Sequence, residues 1–125
     1  MKLKKMRKHS LFTPKRASLT YNGLYFSASL TEELHKRNFK YVEIYYACVE
    51  EKEKNYLLLI LKKVRKKTTD SYTIRYMVPT KGKSPIDIIG ILSIQRYLGC
   101  FERLVTERVE FKDDNELWLY FVRVR

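Results

Sequence analysis

The chain has 125 residues, 45% of them apolar and 14% aromatic, with a formal net charge of +12. That length fits one domain with a sizeable core, and the composition excludes a disordered chain. Two cysteines, Cys48 and Cys100, make neither a disulfide framework nor a metal site by themselves, and no apolar run reaches the ~18–20 residues that span a bilayer, which together point to an intracellular, cytoplasmic protein without a membrane partner.

Residues 1–16 read as a flexible basic arm, broken at Thr13-Pro14. Lys2, Lys4, Lys5, Arg7, Lys8, Lys15 and Arg16 give it +7 with no acid, and no apolar stretch follows of the kind a secretory signal needs. Residues 18–28 carry strand-forming side chains around Asn22-Gly23, a strong hairpin dipeptide. Ser29-Leu30-Thr31-Glu32 reads as a capping box opening a short helix over about residues 30–37. Residues 40–49 alternate as a strand, residues 50–55 form an acidic turn, and residues 56–64 form a strand. Tyr56 to Leu61 are apolar on both faces, which predicts a central or doubly covered strand.

A basic link follows at 65–70, then a strand over 71–79 ended by Pro79. Ser84-Pro85-Ile86-Asp87 has the pattern of a helix start, with a cap and Pro at the first helical position. The expected helix runs to about Leu98, stopped by Gly99, and is apolar around most of its circumference. Strands over 102–113 and 116–124, joined by a turn at Asp114-Asn115, complete the chain.

Residues 50–64 and 110–124 echo one another. Glu50, Lys52, Asn55, Leu57, Leu59 and Val64 recur as Glu110, Lys112, Asn115, Leu117, Leu119 and Val124, six identities in fifteen without a gap. Two readings stand: convergence of two buried hairpin strands, or a duplicated unit with halves at about 18–64 and 71–124. The expected fold is α+β. A basic arm (1–16) precedes a single compact domain (17–125) of two βαββ-like pseudo-repeats, mostly antiparallel sheet or barrel, with one long apolar helix.

The charge sits in two blocks, +7 over residues 1–16 and +7 over residues 60–83, with the remainder summing to −2. Local positive blocks are the footprint of a polyanion partner, and also of a solubilising tail and a solvated turn. Gly82-Lys83-Ser84 is not a phosphate loop, because Met77 stands where that motif needs its first glycine. Lys81 and Lys83 remain able to hold one backbone phosphate, beside the simpler reading of helix capping. His9 and His35 belong to no cluster with metal-ligand spacing. The acids Glu50, Glu51, Glu53, Asp113, Asp114 and Glu116 fall at turns, where they read as solvated or as the carboxylates of a two-metal nuclease. Tyr41, Tyr45, Tyr72 and Tyr76, among ten tyrosines, are candidates either for stacking bases or for filling half-buried strand positions. Abundant Lys, Glu, Tyr and Ile with a single glutamine, Gln95, lean towards a thermophilic source.

Residues 24–64, LYFSASLTEELHKRNFKYVEIYYACVEEKEKNYLLLILKKV, resemble AbrB-type swapped-hairpin units: a strand, a short helix, a "YVEI" strand, a turn, and an apolar strand ending in basic residues. Two tandem units would be similar to the MraZ-type duplicated form. Asn38-Phe39-Lys40 stands where that family carries Gly-Asp. The resemblance implies a dimeric DNA binder acting in transcription regulation.

The expectation is therefore a non-enzymatic nucleic-acid-binding protein, a homodimer that prefers DNA to RNA and needs no cofactor or metal. Phosphates would be met by Lys4, Lys5, Arg7, Lys8, Lys15 and Arg16 of the arm. A second set comprises Lys62, Lys63, Arg65, Lys66 and Lys67 of the link, with Lys81, Lys83 and, on a strand, Arg75. The alternatives are an oligomeric structural protein of virion type, built on the apolar helix and the two-sided strands with its charge serving solubility or packaging, and a small metal-dependent nuclease.

Overall fold

A computed structural model of the protein describes residues 1–4, 14–20, 23–77, 86–90 and 103–122. In chain order it contains β1 (Ala17–Leu19), β2 (Gly23–Phe26), α1 (Ala28–Lys36), β3 (Tyr41–Glu51), β4 (Lys54–Val64), β5 (Tyr72–Thr73), β6 (Arg75–Met77), β7 (Ile86–Gly90), β8 (Leu104–Lys112) and β9 (Glu116–Val122). All strand pairs are antiparallel. They form one nine-stranded sheet in the order β5-β3-β4-β9-β8-β1-β2-β7-β6, curled as a half-barrel. Its two terminal strands are consecutive in the chain. Only Ile74 separates β5 from β6, and there the chain changes partner, from β3 to β7. Ile74 is buried and donates its amide to the Lys40 carbonyl at 2.9 Å, which anchors the bend.

The expected α+β fold of two βαββ-like halves with a long apolar helix is overturned. Ile86–Gly90, placed in that helix by its capping pattern, is strand β7, paired with β2 on one side and β6 on the other. The physical reason lies in the residue types. Ile86, Ile88 and Ile89 are β-branched, which favours extended backbone, and a short run apolar on both faces fits a covered strand as well as a buried helix. Residues 91–98, the rest of the expected helix, lie outside the described residues. Among the described residues α1 is the one helix, and no helix is long and apolar enough to cross a membrane.

The start of α1 also differs. The cap is Ser27, two residues before the expected Ser29. Ser27 Oγ accepts from the Leu30 amide at 3.4 Å and from the Arg16 amide at 3.0 Å, and donates to the Pro14 carbonyl at 3.2 Å. One hydroxyl thus starts the helix and ties the end of the arm to it. Ser29 is buried instead. At the other end, Asn38 sits in the left-handed region (φ 60). The Phe39 amide bonds the Leu34 carbonyl at 2.9 Å and the Asn38 amide bonds the His35 carbonyl at 3.1 Å. This is a Schellman closure, with buried Phe39 and Leu34 as its apolar pair.

The echoed strands are β4 and β9, and they are neighbours. Leu59 pairs with Leu119, its own counterpart in the echo. Leu57 pairs with Phe121, and its counterpart Leu117 pairs with Leu61. A local two-fold therefore passes through the Leu59–Leu119 pair. Strand alternation sends Leu57, Leu59, Leu61, Leu117, Leu119 and Phe121 to the inner face. There they join Leu30 and Leu34 of α1 and Phe26 of β2 in the main core. The outer faces of the same strands carry a second cluster, Tyr56, Leu58 and Tyr120, with Ile60 and Trp118 packed against it. Both strands are covered on both faces, as their two-sided apolar character requires. The halves of the chain interleave: β1 of the first lies beside β8 of the second, and β5 of the second beside β3 of the first. A β-bulge at Thr106/Arg108 turns Glu107 out of the β8–β9 ladder. Beside it the Thr106 hydroxyl accepts from the Ala17 amide at 3.0 Å, tying β8 to β1.

Candidate nucleic-acid interface

Strand alternation separates the adjacent lysines at the end of β4. Lys63 turns inward: its Nζ donates to the Arg37 carbonyl at 2.9 Å and lies 5.5 Å from the Phe39 ring centroid. It closes the C-terminal end of α1 instead of facing solvent. Lys62 is exposed on the opposite face, 4.7 Å from the Tyr45 ring centroid and directly opposite Glu116 in the β4–β9 register. Beyond β4 the chain leaves the sheet, and Arg65, Lys66 and Lys67 are all exposed.

The cations of this protein fall into two populations. One is neutralised. Arg37 bonds Glu33 at 2.8 Å and also Asp114, while its guanidinium stacks 4.2 Å from the Phe111 ring centroid. Lys15 reaches Glu33 at 3.9 Å, Lys54 reaches Glu107 at 3.0 Å, and Arg108 bonds Glu51 and Glu110 at 3.2 and 2.9 Å. Lys112 completes the set on Glu110 at 3.0 Å. The Arg37 hydrogen bond, aided by Lys15 and Lys36 and opposed by partial burial, holds the Glu33 carboxyl below its ordinary 4.5. The Lys54 ammonium does the same for Glu107. The other makes no ion pair among the described residues. It includes Lys2, Lys4, Arg16, Lys36, Lys52, Lys63, Arg75 and Arg103, spread over the chain, and a local group of Lys40, Lys62, Arg65, Lys66 and Lys67 at the end of β4.

Three members of that local group, Lys40, Lys62 and Arg65, line one recess of about 650 Å³. It lies where the turn after α1 meets the start of β3, the end of β4 and the start of β9. Asn38, Tyr41, Lys63, Val64, Asn115 and Glu116 complete the wall. Backbone bonding sets the geometry: the Lys63 amide donates to the Asn115 carbonyl at 2.7 Å, holding the β8–β9 turn against the end of β4. Glu116 accepts from Trp118 Nε1 at 2.9 Å.

The residues expected to meet phosphates therefore do not form one surface. Lys62, Arg65, Lys66 and Lys67 share the β4 end, whereas Lys63 is engaged in closing α1 and Lys15 in pairing with Glu33. Lys4 and Arg16 are exposed on the arm, and Arg75 is exposed on β6. Lys5, Arg7, Lys8, Lys81 and Lys83 lie outside the described residues. Lys40, Asn38 and Asn115 belong to the recess without any sequence signal. Lys40 stands alone between two aromatic residues, so nothing in its neighbourhood marks it as part of a basic cluster. Of the tyrosines considered for stacking, Tyr72 packs against the main core and Tyr41 is half-buried. Tyr45 is 47% exposed, with Lys62 over its ring. The turn acids sit at the tips of two paired hairpins, and among the described residues no group of three or more His, Cys, Asp or Glu converges as a metal site.

A scan against protein-family models finds no match for the chain, and neither curated proteins nor solved structures match it.

Proposed function

We propose that this protein binds nucleic acid, with DNA the expected form, through the rim formed by Lys40, Lys62, Arg65, Lys66 and Lys67. The observation that carries the reading is the partition of charge. Glu33, Glu51, Glu107 and Glu110 each hold a cation, yet Lys40, Lys62, Arg65, Lys66 and Lys67 gather at one end of β4 with no ion pair among the described residues, the nearby acids being Glu43 and Glu116 opposite Lys62 in the strand registers. Unmatched cations crowded together repel one another and destabilise the fold. A polyanion that threads between them relieves that repulsion and releases its own counterions. The exposed Lys4 and Arg16 of the arm add to the same positive charge. The resemblance of residues 24–64 to swapped-hairpin DNA binders points the same way.

The reading of an oligomeric structural protein drew on a long apolar helix over 85–98 and on the two-sided strands. The described part of that segment, Ile86–Gly90, is a strand paired on both edges, so the helix no longer supports that reading and the two-sided strands β4 and β9 are what remains of it.

The test is fluorescence anisotropy on matched single- and double-stranded DNA over a salt series. Affinity should fall about a thousandfold between 50 and 200 mM salt if six or more phosphates are touched. Replacing Lys62, Arg65, Lys66 and Lys67 together by alanine should flatten the log–log salt slope by about one unit for each phosphate that the variant no longer reaches. Affinity that ignores salt, or a slope unchanged by the four substitutions, removes the proposal.

A further inference from the structure

The recess beside this rim is larger and chemically more varied than phosphate binding requires. The recess is open to solvent on one side and holds about 650 Å³, of which a lone phosphate fills a small part. Its wall is also not purely cationic. Glu116 lines it together with Lys40, Lys62 and Arg65, and an acid in the wall weakens a site for a bare anion. Asn38 and Asn115 add side-chain amides, each able to donate and to accept, and Tyr41 adds an aromatic ring. Cations, a carboxylate, amides and a ring together match a ligand that has an anion at one point and a planar heterocycle with N–H donors and acceptors at another. The Glu116 carboxylate, oriented by Trp118 Nε1 at 2.9 Å, is the kind of acceptor that takes an exocyclic amine of a base.

We propose that the recess holds one nucleoside 5′-phosphate unit, its phosphate taken by Lys40, Lys62 and Arg65 and its base edge read by Asn38, Asn115 and Glu116. The inference rests on the nucleic-acid reading only for the source of the unit, which is either a free nucleotide or an unstacked nucleotide of a single strand. Flat docking on a duplex uses the rim and leaves the recess empty, whereas a splayed nucleotide fills it.

Isothermal calorimetry on the full chain tests this with the four common nucleoside 5′-monophosphates, the matching nucleosides and inorganic phosphate. Trp118 is the single tryptophan and is bonded to a wall residue, so its emission gives a parallel readout. The expected result is saturable binding of at least one nucleotide with a change in Trp118 emission. The nucleoside and inorganic phosphate should each bind about tenfold or more weakly, and Lys62→Ala/Arg65→Ala should weaken the nucleotide by a similar factor. Both substituted side chains are exposed, so the substitutions remove no buried side chain from the core. Inorganic phosphate binding as well as the nucleotide, no nucleotide binding, or binding indifferent to the double substitution each overturns the inference. A hexanucleotide with and without a 5′-phosphate separates the sources: dependence on the end phosphate marks a strand terminus, and its absence marks an internal nucleotide. If long strands bind with a steep salt slope while mononucleotides do not, the pocket falls and the nucleic-acid reading stands. If mononucleotides bind and strands do not, the reading falls and the pocket stands.

Discussion

Lys52 and Glu53 join β3 to β4 in a two-residue turn, and both have positive φ, 51° and 64°. Such a turn favours Asn-Gly, because a side chain with a Cβ is strained in the left-handed region. Glu53→Gly should therefore stabilise the protein by about 1 kcal/mol and raise Tm by about 3–6 °C in calorimetry; an unchanged or lowered Tm would show that the turn carries no such strain. Glu33 offers a pH-dependent counterpart. Its carboxyl is held below 4.5 by Arg37, so its contribution is present above that pH and is lost as pH falls through the lower folded value. The urea midpoint of Glu33→Gln should lie below that of the natural protein at pH 7, and the gap should close as pH falls below the ordinary carboxylate range. A gap independent of pH would mean that the ion pair contributes nothing and that Glu33 acts by packing alone.

The pairing of β4 with β9 is where the two hairpins become one sheet. Leu59 and Leu119 face each other across that ladder, each 1% exposed or less. Leu119→Ala leaves a cavity in the centre of the main core and should cost about 3–4 kcal/mol in chemical denaturation. Val105→Ala, at a 40% exposed position of β8, should cost less than about 0.5 kcal/mol. The double variant Leu59→Ala/Leu119→Ala should deviate from additivity by about 0.5 kcal/mol or more, because the two side chains are cross-strand neighbours. Strict additivity would count against direct packing of the pair. The turns of these hairpins differ, two residues between β3 and β4 and three between β8 and β9. The echo in sequence runs through both tips, where Glu50, Lys52 and Asn55 recur as Glu110, Lys112 and Asn115, but the turns built there differ, so the likeness in structure is confined to β4 and β9, whose inner faces share one core.

For the molecule as a unit, charge placement matters more than charge total. The neutralised cations stitch separate elements together: Arg37 ties α1 to the β8–β9 turn, and Lys54 and Arg108 tie the β3–β4 hairpin to β8. Five of the cations without an ion pair gather at the end of β4. Raising ionic strength from about 10 to 150 mM should screen their repulsion and raise Tm. The rise should shrink in the variant lacking Lys62, Arg65, Lys66 and Lys67. An equal rise in both proteins would locate the repulsion elsewhere, in the arm.

Strands with clear alternation or two-sided apolar runs, β3, β4, β8 and β9, are legible from residues alone, because period-2 patterning and turn residues such as Asp114 and Asn115 are local signals. So are the short helix α1, although its cap lies at Ser27, and the two basic blocks. The run Ile86–Gly90 is not, because a segment apolar all round satisfies helix and covered strand equally, and only the open edges of β2 and β6 decide between them. Nor is the candidate site. Lys62 and Lys63 are adjacent in sequence and look alike, yet strand alternation sends one to solvent and the other to the end of α1. Lys40, Asn38 and Asn115 come together only because β3, β4 and β9 end side by side. Residue order suffices to mark most of the strands and the places where positive charge is concentrated, since both depend on near neighbours. Which cations remain without an acid is settled by the folded arrangement, because that depends on partners many residues away in the chain.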